Sequence, residues 1–125
     1  MAGANHPGYG AAAQVAAAKF GGPVNEIEAE HTVTTTETTL LNPDPERVAL
    51  LVVNLGSNDV YLGYRPGTSA GKGIWLAPNG GSVTFDAETD GVLTARQVYA
   101  IAIGASSTVF TLEVRREGLS TPAGQ

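Results

Sequence analysis

The side chains in this 125-residue chain that could do chemistry fall into a few short stretches. The acidic run Asp86–Gly91, DAETDG, sets carboxylates at alternate positions before a glycine, as a calcium loop of the form D-x-[DN]-x-[DN]-G begins. The place of the closing bidentate glutamate is held by Gln97, and no flanking helices are evident, so the run reads as a solvated acidic loop. The two histidines, His6 and His31, lie far apart in the sequence. Neither has a second histidine or a carboxylate at metal-ligand spacing on a helix. His31 follows Glu28 and Glu30 and reads as a surface histidine in an acidic strand. Nucleophilic catalysis needs a hydroxyl beside a base and an orienting acid. Ser57, Ser69, Ser82, Ser106, Ser107 and Ser120 stand in turns or at strand ends, and no G-x-S-x-G occurs. The stretch Gly67–Gly73, GTSAGKG, lacks phosphate-loop spacing and a following helix, so it reads as a flexible connection. Tyr61, Tyr64, Tyr99 and Trp75 are either an aromatic platform for a sugar or packing in alternating strands. The sequence therefore assigns no catalytic, cofactor-binding or metal-binding residue, and the chain is read as no enzyme.

Composition points the same way. The chain is 42% hydrophobic and 15% charged, against about 25% charged for an average globular domain. So few charges leave much of the surface neutral and open to association with other chains. The net charge is −5 and Lys19 and Lys72 are the only lysines, which argues against nucleic acid as a partner, because phosphate neutralisation needs clustered cations. There is no cysteine, hence no disulfide or Cys-based metal site. The opening MAGANHPGYG has neither the basic nor the apolar region of a secretory signal. No run reaches the roughly 18 apolar residues of a membrane span, so a soluble product of a cytoplasm with no membrane partner is expected.

The elements that must position these residues fall into three zones. Residues 1–23 form an Ala/Gly-rich N-terminal arm in which AAAQVAAAKF suits about three helical turns, too few to be stable alone in water. Val15 and Phe20 are its larger apolar anchors, and Gly21, Gly22 and Pro23 close it. Residues 24–117 read as strands and turns with no helical period, and residues 118–125 as a loose tail. Within the middle zone, VALLVVNL is apolar at every pleat position, as in a central strand covered on both sides. The residues Gly56, Ser57, Asn58 and Asp59 read as a hairpin bend to the next strand, DVYLGY. KGIWL and SVTF flank the turn formers of APNGG, and QVYAIAI and STVFTLEVRR form a last pair around GASS. In the final strand Thr108, Phe110, Leu112 and Val114 alternate with Val109, Thr111, Glu113 and Arg115, and the first set reads as the buried face. Turn signals every 8–14 residues have sandwich or barrel spacing. The fold class is thus all-β, a compact antiparallel β-sandwich or barrel of jelly-roll or immunoglobulin-like type with an extended arm. Residues 24–41 carry threonine on both faces, which suits either a solvated edge strand or one exchanged with a neighbouring subunit.

Residues 47–115 carry a pattern: Asn54 and Gly56, then Val60, Tyr61 and Gly63, then Gly73, Ile74, Leu76, Pro78 and Gly80, then Tyr99, Ala100 and Ile101, closing on Leu112, Glu113 and Val114. It resembles small virion structural proteins of tailed bacteriophages, such as capsid decoration (cement) proteins, head fibres and tail-associated modules. The resemblance implies a structural role on a virion, with the protein made in the host cytoplasm and assembled on the capsid surface. It also implies the major capsid protein as partner and a homo-oligomer, a trimer being favoured. It carries over no catalytic residue. In this reading the partner interface comprises Tyr9, Val15, Phe20, Val33, Thr35, Thr36 and Thr38. The alternative is a tail-fibre, spike or head-fibre module that binds a host-surface glycan or another tail protein.

Overall fold

The computed structural model describes residues 23–116. Eight strands are present: β1 (Val24–Val33), β2 (Thr38–Leu41), β3 (Arg47–Asn54), β4 (Val60–Gly63), β5 (Ile74–Leu76), β6 (Gly81–Asp86), β7 (Val98–Ala102) and β8 (Ser107–Arg116). They form two four-stranded sheets, sheet I in the order β1-β8-β3-β6 and sheet II in the order β2-β7-β4-β5. All pairings are antiparallel. The first strand pairs with the last, the second with the seventh, the third with the sixth and the fourth with the fifth. That is one long hairpin of eight strands rolled up, closed by the further pairs β3–β8 and β4–β7. It is the jelly-roll order, and the expected β-sandwich is present as two open sheets, with no closed barrel.

This nesting corrects three local expectations. The bend Gly56–Asp59, the APNGG turn and the GASS turn are not hairpins; each carries the chain from one sheet to the other. A turn's residues set how sharply the chain reverses, whereas the pairing partner is chosen by burial of the alternating apolar positions. Leu50, Val52, Phe85 and Val109 of sheet I meet Val60, Leu62, Leu76, Val98, Ala100 and Ala102 of sheet II in a single core.

The inward face of β8 is also the reverse of the expected one. Val109 and Thr111 are fully buried, and Glu113 and Arg115 continue the same face toward the interior. Phe110, Leu112 and Val114 point away from the core and are partly exposed. Likewise β3 is central in its sheet but covered on one side only: Leu50 and Val52 are buried, while Leu51 and Val53 lie on the outer face, partly exposed. A short helical stretch was not anticipated either. Ala87–Asp90 forms one helical turn and Gly91–Ala95 a 3₁₀ turn. The acidic run supplies its cap: the Asp86 carboxylate accepts from Thr89 N at 2.8 Å, and Asp90 accepts from Asp86 N at 2.9 Å. Asp86 and Asp90 thus hold the turn's orphan amides, the ordinary work of an N-cap.

Candidate functional site

Two buried polar clusters mark the two ends of the sandwich. At one end Asn54, completely buried, uses all four of its hydrogen-bonding positions. Its amide donates to the carbonyls of Asn58 at 2.7 Å and Leu76 at 3.1 Å, while its oxygen accepts from Ser107 Oγ at 2.7 Å and Gly56 N at 3.2 Å. The turn of Asn79 and Gly80 closes over the same place, donating from Asn79 N to Gly56 O and from Gly80 N to Asn54 O. Asn79 adopts a positive φ of 61° there. Gly56 cannot carry a side chain, since a Cβ would overlap the Ser107 hydroxyl and come within 2.8 Å of Thr108 N. The Asn-x-Gly and Pro-Asn-Gly elements of the sequence pattern are therefore parts of one structural knot.

At the other end Arg47 is 3% exposed. Its Nε donates to Glu113 Oε1 at 2.8 Å, Nη2 to Asn42 O at 2.7 Å, and Nη1 to Arg96 O at 3.1 Å and Thr94 O at 3.3 Å. Four of the guanidinium's five N–H groups are used in this way. Beside it Arg115 pairs with Asp44 at 2.9 Å, and Arg116 with Glu46 at 2.8 Å. The Arg115 hydrogen bond holds the Asp44 carboxyl below its ordinary pKa, and Asp44 raises that of Arg115 in return. His31 Nε2 lies 2.9 Å from Thr111 Oγ1. Burial lowers the His31 pKa, with Glu113 opposing. A cleft of about 370 Å³ opens over His31, Asp44, Arg47 and Glu113. Every charged group in it already has a protein partner, so the cluster works as a latch tying the β2–β3 loop and the 3₁₀ turn to sheet I.

The interface residues read from the sequence separate. Tyr9, Val15 and Phe20 lie outside the described residues. Thr35 and Thr36 are exposed in the connection leading into β2, and Thr38 is exposed as the first residue of β2, paired with Ala100. Val33 is a correction: at 1% exposure its side chain belongs to the core, because β1 ends by turning its last residue inward as the chain crosses to sheet II. The span 24–41 is two strands, each an outer strand of its own sheet and each paired within the chain, β1 to β8 and β2 to β7. Between them Glu37 accepts from the amides of Gly67, at 3.0 and 3.1 Å to its two oxygens, and Thr68 at 2.7 Å. Those bonds lower the Glu37 pKa. The stretch read as a flexible connection thus presents an amide pair, and its own chain fills it.

Three surfaces remain. The first is the free side of β1, ten residues long, which pairs with no other strand among the described residues. The second is the outer face of sheet II. There Trp75 is 58% exposed, pairs in register with Tyr61, and donates from Nε1 to Asp59 Oδ1 at 2.8 Å. Tyr64 is not part of that row. It packs edge-on against Phe85 at 5.7 Å, and burial pushes its pKa up to about 12. The third is the outer face of sheet I, where Phe110, Leu112, Val114, Leu51 and Val53 form an apolar band. Only the inward swap of β8 reveals it. Among the described residues no helix is long and apolar enough to cross a membrane.

The sequence matches no protein-family model and no curated protein. The fold does match solved structures. A subunit of Bacillus endospore appendages, described as disulfide-linked pili, superposes with a TM-score of 0.51 at 16% identity over 74% of this chain and 85% of that chain. A chain of tomato aspermy virus gives 0.42 at 10% identity over 82% of each chain. The periplasmic g-type lysozyme inhibitor PliG of Aeromonas hydrophila gives 0.36 at 12% identity over 74% of this chain and 88% of that one. At 16% identity the likeness to the appendage subunit is one of fold.

Proposed function

We propose that this chain is a structural protein that binds the outer surface of a phage capsid and bridges neighbouring capsomers, as a cement or decoration protein does. The observation that carries the reading is the free edge of β1. Ten residues of strand offer unpaired backbone groups on one side, a ready template for a strand of another chain. Glu26, Glu28 and Glu30 project from the outer face of this strand. A second β1 laid alongside would bring two such rows together, and like charges on neighbouring strands destabilise the pair. The edge therefore favours a strand of different sequence over its own copy, which suits the major capsid protein as partner, with cement copies grouped as a trimer through other surfaces. The Bacillus appendage subunit, whose fold this chain shares, also works by assembly, but this chain has no cysteine with which to link as those pili do. Repetition over a closed shell converts weak contacts into high avidity. An electron-micrograph reconstruction of the source particle should place copies on the shell exterior at symmetry positions. Deletion of residues 1–23 should lower their occupancy and the heat resistance of heads. Shells without such density would refute the reading.

A second reading rests on Trp75. Its exposed ring, held by Asp59 beside Tyr61, has the form of a stacking platform for a sugar, as in a fibre or spike module that binds a host glycan. A glycan array separates the two: cement binds no sugar, whereas a fibre module loses its signal on Trp75→Ala.

A further inference from the structure

The outer face of sheet I is apolar where an outer face is ordinarily polar. Register places Leu112 opposite Leu51, Phe110 opposite Val53 and Val114 opposite Ala49. These side chains point away from the core and stay partly exposed. A shallow groove of about 220 Å³ runs between β3, β6 and the end of β8. One border of the band is the row Glu26, Glu28 and Glu30 on β1, which pairs with Val114, Leu112 and Phe110; the other is Thr84 and Ser82 on β6.

We propose that this face is the docking site of the chain's own segment Ala11–Phe20, independently of any role in a particle. Size excludes a second sandwich as occupant. The band is two strands wide and about 13 Å long, some 150 Å² in plan, whereas a stable interface buries about 800 Å² on each partner. A single helix, about 10–12 Å across and about 15 Å long for ten residues, matches it. The chain also leaves the structure at the right corner. Val24 pairs with Arg116, two residues from Val114, and Phe20 stands four residues before Val24. Four residues span up to about 14 Å, enough to bring Phe20 over Leu112 and Val114. On a helix Ala12, Val15, Ala16 and Phe20 share one side, and Lys19 lies on that side between Val15 and Ala12, its long apolar stem able to cover the band while carrying its charge to the border. Charge agrees as well: Lys19 is the one lysine or arginine among residues 1–22 and stands opposite no acid of its own segment, while the band is bordered by three glutamates.

The test uses the full chain with a photoreactive benzoyl-phenylalanine in place of Phe20. Irradiation followed by peptide mapping should give cross-links to the peptides that contain Leu51 or Leu112–Val114, and Val15→Asp should cut their yield at least fivefold. Links to those residues support the proposal whether they form within one chain or between two. Links that map elsewhere, or none, overturn it. A second readout needs no probe residue. The double variant Val15→Asp/Phe20→Asp should bind an apolar fluorescent dye several-fold more strongly than the native chain, and Leu112→Glu added to it should abolish the increase. Equal dye binding by the native chain and the double variant would overturn the proposal.

Discussion

The Ser107 hydroxyl donates to Asn54 Oδ1 at 2.7 Å, across the strands β8 and β3, with the asparagine wholly buried and the serine 3% exposed. Through this bond and three others a single amide joins both sheets. Removing it strands two carbonyls, a hydroxyl and an amide at once. Each unsatisfied buried group costs about 1–3 kcal/mol. Asn54→Leu should therefore lose more than about 3 kcal/mol in urea titrations, and Ser107→Ala about 1–2 kcal/mol. Asn54→Asp should be no milder than Asn54→Leu, since it aims a carboxylate at the carbonyls of Asn58 and Leu76.

Arg47→Met should destabilise the fold by about 3–5 kcal/mol, because it leaves Glu113 without its partner in a largely buried place. The double variant Arg47→Met/Glu113→Gln should recover part of that loss. A double-mutant cycle with coupling near zero would contradict the latch.

Stability should fall in two steps on acidification. His31 has a folded pKa below its unfolded value of about 6.5. Its contribution is therefore complete above about pH 6.5 and is lost as pH falls toward the folded value. Asp44 is likewise lowered, by the hydrogen bond from Arg115. Its contribution is present above the ordinary aspartate range of about 3.9 and disappears as pH drops through the lower folded pKa. Melting temperature measured from pH 8 to pH 3 should show the upper step vanish in His31→Gln and the lower step shrink in Asp44→Asn.

Glu37→Gln should loosen the loop at Gly67 and Thr68 without unfolding the sandwich. A carboxylate accepts both amides with charge to spare, whereas a carboxamide offers one oxygen. Hydrogen exchange at those two amides should speed up several-fold, with β3 and β8 unchanged. Equal exchange would mean that the loop is held by something other than Glu37.

The strands were legible because alternation and turn residues are local signals. Arg47–Asn54, Val60–Gly63 and Ser107–Arg116 stand close to where their patterns predict them. What each strand pairs with was not legible, since Val24 meets Arg116 across the whole domain and no local signal reports that. The face of β8 was misread for the same reason. Glu113 and Arg115 look like solvent residues until Arg47 and Asp44, some seventy residues earlier, neutralise them. Once those charges turn inward, Phe110 and Leu112 must turn outward. The one-turn helix after Asp86 was missed because four residues are too few to show a period. The aromatic residues grouped in the sequence divide in the fold, Tyr61 beside Trp75 and Tyr64 against Phe85.

The nested pairing has a kinetic consequence. Its outermost pair, β1 with β8, joins residues 74 to 92 positions apart, from Val33–Ser107 to Val24–Arg116, so the step that completes sheet I closes nearly the whole chain. High contact order of this kind slows folding. A circular permutant with its ends fused and a new opening at the exposed tip Asn79–Gly80 would bring Val24 and Arg116 to 33 positions apart but stretch Asn54–Gly81 of β3 and β6 from 27 positions to 98. It moves the long closure from one pair of sheet I to another, and should fold no faster than the natural order of the same strands.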